Sequence, residues 1–288
     1  MRVLFATDGG NAAVDAAVLV EFVADRERTQ ITIVSVATAG IPSLRYADDV
    51  LRSGEERKAL AEKAASDASD ALGEAGFDTE AVVVEGHPGR EIMGVAQQRA
   101  ADLIILGSGT SGLTGRLLGS VSNHVLHRTP TSVLIVRERP RSAQVGVVVG
   151  VDGSEGADRA LNVAMQFLDP QRCVITVLGA AELLTSTLVP PYVAHATSAP
   201  SPEIEAQATE RARHATAAAV RRLSEQGFDA EPHVVLGHPV KRLLNEIDNL
   251  NAGLAVVGSR GLDALDRAAL GSVSDQVVRN APATLVGR

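Results

Sequence analysis

Short apolar runs alternate with longer stretches of helical period along the whole chain. In the first half the runs predict strands near 2–7, 30–36, 80–85, 102–107 and 132–137. Helices are predicted near 12–25, 53–75, 89–99 and 120–128. The strand runs (ITIVSV, LIIL, SVLIV) are almost unbroken Val, Ile and Leu, as in a sheet covered on both faces. The stretch SGEERKALAEKAASDASDALGEAG, rich in Ala, Glu and Lys, stops at Gly76, where a helix C-terminus favours glycine. Its counterpart runs from about Pro202 to Gln226 and stops at Gly227. Five strands with helices between them imply an α/β fold with a parallel, doubly wound sheet.

The chain states this pattern twice. VLFATDGG from Val3 recurs as VVVGVDGS from Val147, and VVVEGHP from Val82 as HVVLGHP from His233. LIILGS from Leu103 recurs as LAVVGS from Leu254, and LLGSVS from Leu117 as ALGSVS from Leu270's neighbour Ala269. Pro130 and Pro282 each precede a last apolar run. The second repeat carries about seven extra residues in its first half, assigned to the Pro- and Ser-bearing stretch Val189 to Pro202. The polar segment Glu138 to Gln144 is the expected linker, so two domains are expected, at about 1–139 and 140–288.

Composition narrows the class. Aromatics are scarce and Trp is absent, so the core must be built from Val, Leu, Ile and Ala. The formal net charge of -8 repels phosphate backbones and argues against nucleic acid as a partner. A single cysteine, Cys173, allows no intramolecular disulfide and no zinc cluster, and reads as a small buried apolar residue. MRVLFATDGG runs straight into a strand, and no apolar run is long enough to span a membrane, which predicts a soluble cytoplasmic protein.

Candidate chemistry centres on Leu103 to Ser122, where GSGTSG spells G-x-G-x-x-G after a strand. A dinucleotide-binding turn follows the first strand, and its last glycine opens the next helix directly. Here the pattern follows the fourth strand, LTGRLL intervenes, and the second repeat reads VVGSRGLDALDRAALGSVS instead. A dehydrogenase is therefore rejected. Both copies keep an early Gly-Ser, a spacer, then Gly-Ser-Val-Ser opening a helix. The amides of Gly119-Ser120-Val121 and Gly271-Ser272-Val273 then sit at a positive helix end suited to phosphate, with Ser122 and Ser274 adding hydroxyls. A Ser-capped helix start has the same appearance. In a sheet ordered 3-2-1-4-5, strands 1 and 4 are neighbours and a crevice opens at their ends. Asp8 faces Gly107 there, and Asp152 faces Gly258. Each Asp either accepts from an amino group or sugar hydroxyl, or caps the following helix.

These motifs resemble the universal stress protein family. Val151-Asp152-Gly153-Ser154 matches V-D-G-S after strand 1, and Gly258-x2-Gly261-x9-Gly271-Ser272 matches G-x2-G-x9-G-S after strand 4. The G-x-P turns at Gly86 and Gly237 are also family-like, so the chain is similar to a tandem universal stress protein throughout. The resemblance implies an α/β fold of five parallel strands in the order 3-2-1-4-5 in each half. It also implies ATP bound at each switch point, often with a divalent metal such as Mg2+. Carried over, Asp152 matches the adenine and ribose position, and Ala180 the strand-2 position where the family often has Val. Gly258, Gly261, Gly271, Ser272, Val273 and Ser274 match the phosphate positions, and Arg260 lies between the first two glycines. The first repeat retains Asp8, Val36, Gly119, Ser120, Val121 and Ser122. Its Gly107 is one residue closer to Gly119, the x9 spacing is kept only from Gly109, and no Arg matches Arg260. Family domains pair through their last strands, which implies a pseudo-dimer of the two halves; a homodimer of whole chains stays open.

Other readings have less behind them. No G-x4-G-K-[ST] and no G-x-S-x-G occurs. His87 and His238 recur in the G-H-P turns and read as turn packing. His124 and His127 have ligand-compatible spacing, but Gln276 and Arg279 stand in their places. The Arg-rich segment Glu210 to Leu223 reads as a solvated face. Phosphoryl transfer needs a base and neutralising cations. The loops hold Arg260, Arg116 and Arg267 but no lysine, which favours a regulatory binding protein over an ATPase, with a nucleotide-free scaffold as the further alternative.

Overall fold

A computed structural model describes residues 1–38, 53–109, 117–140, 142, 144–182, 202–259 and 270–288. The extra residues assigned to 189–202 lie outside these, save Pro202. The first half runs β1 (Arg2–Ala6), α1 (Asn11–Val23), β2 (Gln30–Thr38), α2 (Gly54–Glu74), β3 (Asp78–Gly86), α3 (Pro88–Gln98), β4 (Leu103–Gly107), α4 (Ser120–Arg128) and β5 (Ser132–Val136). The second runs β6 (Val145–Val151), α5 (Glu155–Phe167), β7 (Cys173–Ala181), α6 (Pro202–Glu225), β8 (Asp229–Leu236), α7 (Pro239–Asn249), β9 (Leu254–Gly258), α8 (Ser272–Asn280) and β10 (Ala283–Gly287).

Local chemistry explains the boundaries. Ser53 and Glu56 form a reciprocal capping box at the start of α2. Gly76 and Gly227 follow α2 and α6 at φ +95° and +86°, in the left-handed region that ends helices. Pro88 and Pro239 open α3 and α7, where the missing N–H costs nothing.

All ten strands join one sheet, in the order β3-β2-β1-β4-β5-β10-β9-β6-β7-β8. Each half thus shows the expected order 3-2-1-4-5, with parallel pairing inside it. Side chains alternate between two cores. Val3 and Phe5 face one layer with α1, α2, α5 and α6, whereas Leu4 and Ala6 face the other with α3, α4, α7 and α8. Each layer runs across both halves, so both cores continue from one half into the other.

The halves meet where β5 and β10 pair antiparallel, from Val136 opposite Ala283 to Val133 opposite Val286. The pairing removes the open edge each strand would otherwise present. A second seam lies beyond α1 and α5. Ala24 and Leu168 form an antiparallel bridge, with Asp25 N donating to Phe167 O at 2.8 Å and Asp169 N to Val23 O at 2.8 Å. On the other face of the sheet, Arg288 hydrogen-bonds to the Leu126 carbonyl and His127 lies 3.7 Å from Asp275 of the other half.

Cys173 is buried against this seam, its Sγ 3.9 Å from Val23 O. Burial, with Asp169 adding to it and Arg172 opposing, pushes the thiol up from 9.0 to about 12. The native thiol should therefore resist a thiol-specific reagent near pH 8 and react only on unfolding. Because the folded value lies above the unfolded one, this contribution to stability is complete below about pH 9 and is lost towards about pH 12. Thiol titration of native and urea-unfolded chains checks this; rapid stoichiometric reaction of the native chain would contradict it.

Candidate functional site

The switch point of each half lies where the turns after the first and fourth strands come together at the C-terminal ends of the strands. After β1 the chain turns through Thr7-Asp8-Gly9-Gly10. Gly9 has φ +74°, which favours glycine, and an added Cβ would sit tightly, 3.2 Å from the Ala64 side chain on α2. Asp8 Oδ1 accepts from Gly10 N at 2.9 Å, and Asp152 Oδ1 accepts from Ser154 N at 2.9 Å. Neither Asp caps its helix. Gly10 occupies the N-cap of α1, and Ser154 caps α5 by accepting from Ala157 N at 3.2 Å. Both carboxylates are exposed, each with one oxygen holding the turn.

The end of the fourth strand is locked the same way in both halves. Ser108 N donates to Val136 O at 2.7 Å, and Gly119 N returns to Ser108 O at 2.7 Å. Ser259 N donates to Gly287 O at 2.9 Å, and Gly271 N to Ser259 O at 2.7 Å. These bonds bring the start of α4 and α8 back to the strand end. Gly109 has φ +71°, and a Cβ on Gly119 would lie 2.9 Å from Ser108 O. Arg260, Gly261, Arg116 and Arg267 lie outside the described residues.

Two of the expected contacts take a different form. Ser122 and Ser274 are buried and turned inward, donating to Gly107 O at 2.7 Å and to Gly258 O. A hydroxyl has one proton, so each is spent on the strand end rather than offered to a ligand. Gly107 and Gly258 serve packing: an added Cβ would lie 2.5 Å from the carbonyl carbon of Ala12 or of Gly156. Both glycines let the helix after the first strand cross over the fourth.

What remains open to an anion is the helix start. Asn123 N donates to Gly119 O at 2.9 Å and Asp275 N to Gly271 O at 3.0 Å, so the helical ladder begins there. The amides of Ser120, Val121 and Ser122, and of Ser272, Val273 and Ser274, precede that ladder. Among the described residues no side chain caps either helix, and Ser120 and Ser272 are exposed at its first position. Val36 and Ala180 lie near the ends of β2 and β7, partly buried and paired with Val84 and Val235. Val151 ends β6 beside Gly179.

The histidines sort differently from their spacing. His124 and His127 diverge: His127 points to Asp275, whereas His124 meets His87, with ring centroids 5.7 Å apart. Sequence spacing has no signal for this pair, whose members stand on different helices. At the opposite end of the strands, a depression of about 250 Å³ is lined by Arg2, Gln30, Asp78, Glu80 and Arg99. Its charges are partnered: Arg99 grips Glu80 at 2.9 and 2.8 Å, Arg2 lies 3.9 Å from Asp102, and Asp78 accepts from Gln30.

The architecture is that of a tandem doubly wound α/β protein. The profile of the Universal stress protein family matches residues 1–137 and again residues 146–286, and the chain belongs to that family. A universal stress protein of Mycolicibacterium smegmatis is 27% identical over 265 residues, covering 89% of this chain and 85% of the relative. Universal stress protein YxiE of Bacillus subtilis is 29% identical over 147 residues, 47% of this chain and 98% of the relative. The crystal structure of a universal stress protein from Archaeoglobus fulgidus superposes with a TM-score of 0.68 at 21% identity, covering 100% of this chain and 98% of the other, a likeness of fold.

Proposed function

We propose that this chain is a stress-response regulatory protein that binds ATP at the switch points of its sheet, most firmly in the second half. The observation that carries the reading is the same in both halves. An uncapped helix N-terminus, preceded by Gly-Ser and locked to the fourth strand, stands beside an exposed Asp after the first strand. The helix start suits the phosphates, and the Asp suits the amino or hydroxyl donors of adenosine. The second half carries the full glycine spacing and Arg260, which favours it over the first. Mg2+ takes hard oxygen ligands and keeps several waters, so it would arrive with the polyphosphate; the exposed Ser120 and Ser272 hydroxyls fit it. The continuous sheet supports treating the two halves as an intramolecular pseudo-dimer with a site on each side of the seam.

Calorimetric titration with ATP and Mg2+ tests this through Asp152. Asp152→Asn keeps an acceptor for Ser154 N but removes the charge, and Asp152→Ala removes both. We expect each to weaken ATP binding about tenfold, from loss of a charged hydrogen bond, with only Asp152→Ala also lowering thermal stability. Unchanged affinity in both variants would count against the Asp as a nucleoside contact.

A further inference from the structure

The first half carries a feature that its counterpart lacks. His124 stands one turn after Ser120, on the same face of α4. Helical side chains lean towards the N-terminus, which directs His124 towards the first turn of the helix. The ring packs on the backbone of α3 at Gly89, where an added Cβ would come within 2.7 Å of it. Beside it is His87, the N-cap residue of α3, at 5.7 Å between centroids and a tilt of 48°.

Charge completes the picture. Partial burial, then Arg128, His87 and Arg90, hold His124 below its ordinary value of 6.5. Glu91, on the same turn of α3, folds its carboxylate back towards Gly86, where a Cβ would lie 2.7 Å from Oε1. His127 is turned to Asp275. The groups acting on His124 are thus cations or can become so. The matching residues of the second half are Val240 for Gly89 and Gln276 for His124. The half with the imidazole pair is also the half with no arginine matching Arg260.

We propose that His124, with His87 beside it, completes the phosphate subsite of the first half, so that this half takes up a polyphosphate as pH falls and releases it as pH rises. This rests on the nucleotide-binding reading above. With no anion present, the surrounding cations favour the neutral ring. A bound polyphosphate reverses the local field and favours the charged ring. Binding then draws one proton from solvent onto His124, and by linkage affinity climbs as pH drops through its titration range.

The test uses the full chain carrying Gly271→Glu to remove the second site, with and without His124→Gln, the residue type found in the second half. ATP and tripolyphosphate, each with Mg2+, are titrated at about pH 5.8 and about pH 7.8, where an imidazole changes charge, and the His124 ring is followed by NMR. The ligand's own titration affects both chains alike. We expect acidification to strengthen ATP binding about five- to tenfold more in the chain that keeps His124. Tripolyphosphate should raise the His124 pKa, and His87→Gln, a second variant, should reduce the same pH dependence. Equal pH dependence with ATP still bound overturns this inference and leaves the nucleotide reading intact. An unmoved His124 with no ligand bound at either pH overturns it too; ATP uptake by the wild-type chain then shows separately whether the nucleotide reading survives.

Discussion

Gly271→Glu is expected to weaken ATP binding by the second half at least about 100-fold while leaving the fold intact. Gly271 is the N-cap of α8, with φ −68° and ψ 153°, a conformation open to any residue. Glutamate there gives up a modest capping preference, and at the equivalent Gly119 a Cβ would lie 2.9 Å from the carbonyl of the lock, so unfolding should shift by about 1–3 kcal/mol without loss of the fold. Its carboxylate, however, stands at the mouth of the amides that receive the phosphates, and like charges a few ångströms apart repel strongly in a partly desolvated site. ATP titration and urea unfolding of the same preparation separate the two effects. Full affinity in a folded Gly271→Glu chain would mean that the α8 N-terminus does not hold the phosphates.

Gly258→Ala should act in the opposite sense, through the fold. The added methyl would lie 2.5 Å from the carbonyl carbon of Gly156, 2.6 Å from Ala157 N and 2.8 Å from Gly156 O. These are backbone atoms of α5, which cannot step aside as a flexible side chain could. Either α5 lifts from the sheet or β9 bends, and both open the layer that holds Leu161 and Phe167. A destabilisation of about 3 kcal/mol is expected, the scale of core overpacking. Gly107→Ala should behave alike, since its Cβ would meet Ala12 at the same distance of 2.5 Å. Urea midpoints without nucleotide provide the check. A change below about 0.5 kcal/mol, the size of an ordinary surface substitution, would contradict the packing argument.

These two glycines show what a sequence carries and what it leaves out. The repeat, the strand runs and the stop glycines at Gly76 and Gly227 are local signals, and the elements formed close to where those signals stand. The repeat marks Gly107 and Gly258 as glycines of the candidate site. The structure adds helix crossing, a long-range contact with Ala12 or Gly156 that no local pattern encodes. Ser122 and Ser274 read as ligand donors because they stand beside a helix start that also suits phosphate. Their inward rotamer is set by the carbonyl at the end of the neighbouring strand. The meeting of His87 with His124 depends on α3 and α4 lying side by side, with Gly89 giving the room. Pairing of β5 with β10 followed from family resemblance, whereas the bridge of Ala24 with Leu168 had no sequence signal at all.

The pH response proposed for His124 gives the duplication a use. Two sites with the same frame but different cations would fill under different conditions. The central claim beneath it is that the switch points hold adenine nucleotide. The most direct measurement is to denature the purified wild-type chain, separate the supernatant by chromatography, and count adenine nucleotide per chain. The account predicts about one ATP per chain from the second half, rising towards about two when the first half fills at lower pH. No released nucleotide, followed by no uptake of ATP with Mg2+ on titration, would contradict it and leave an interaction scaffold as the function.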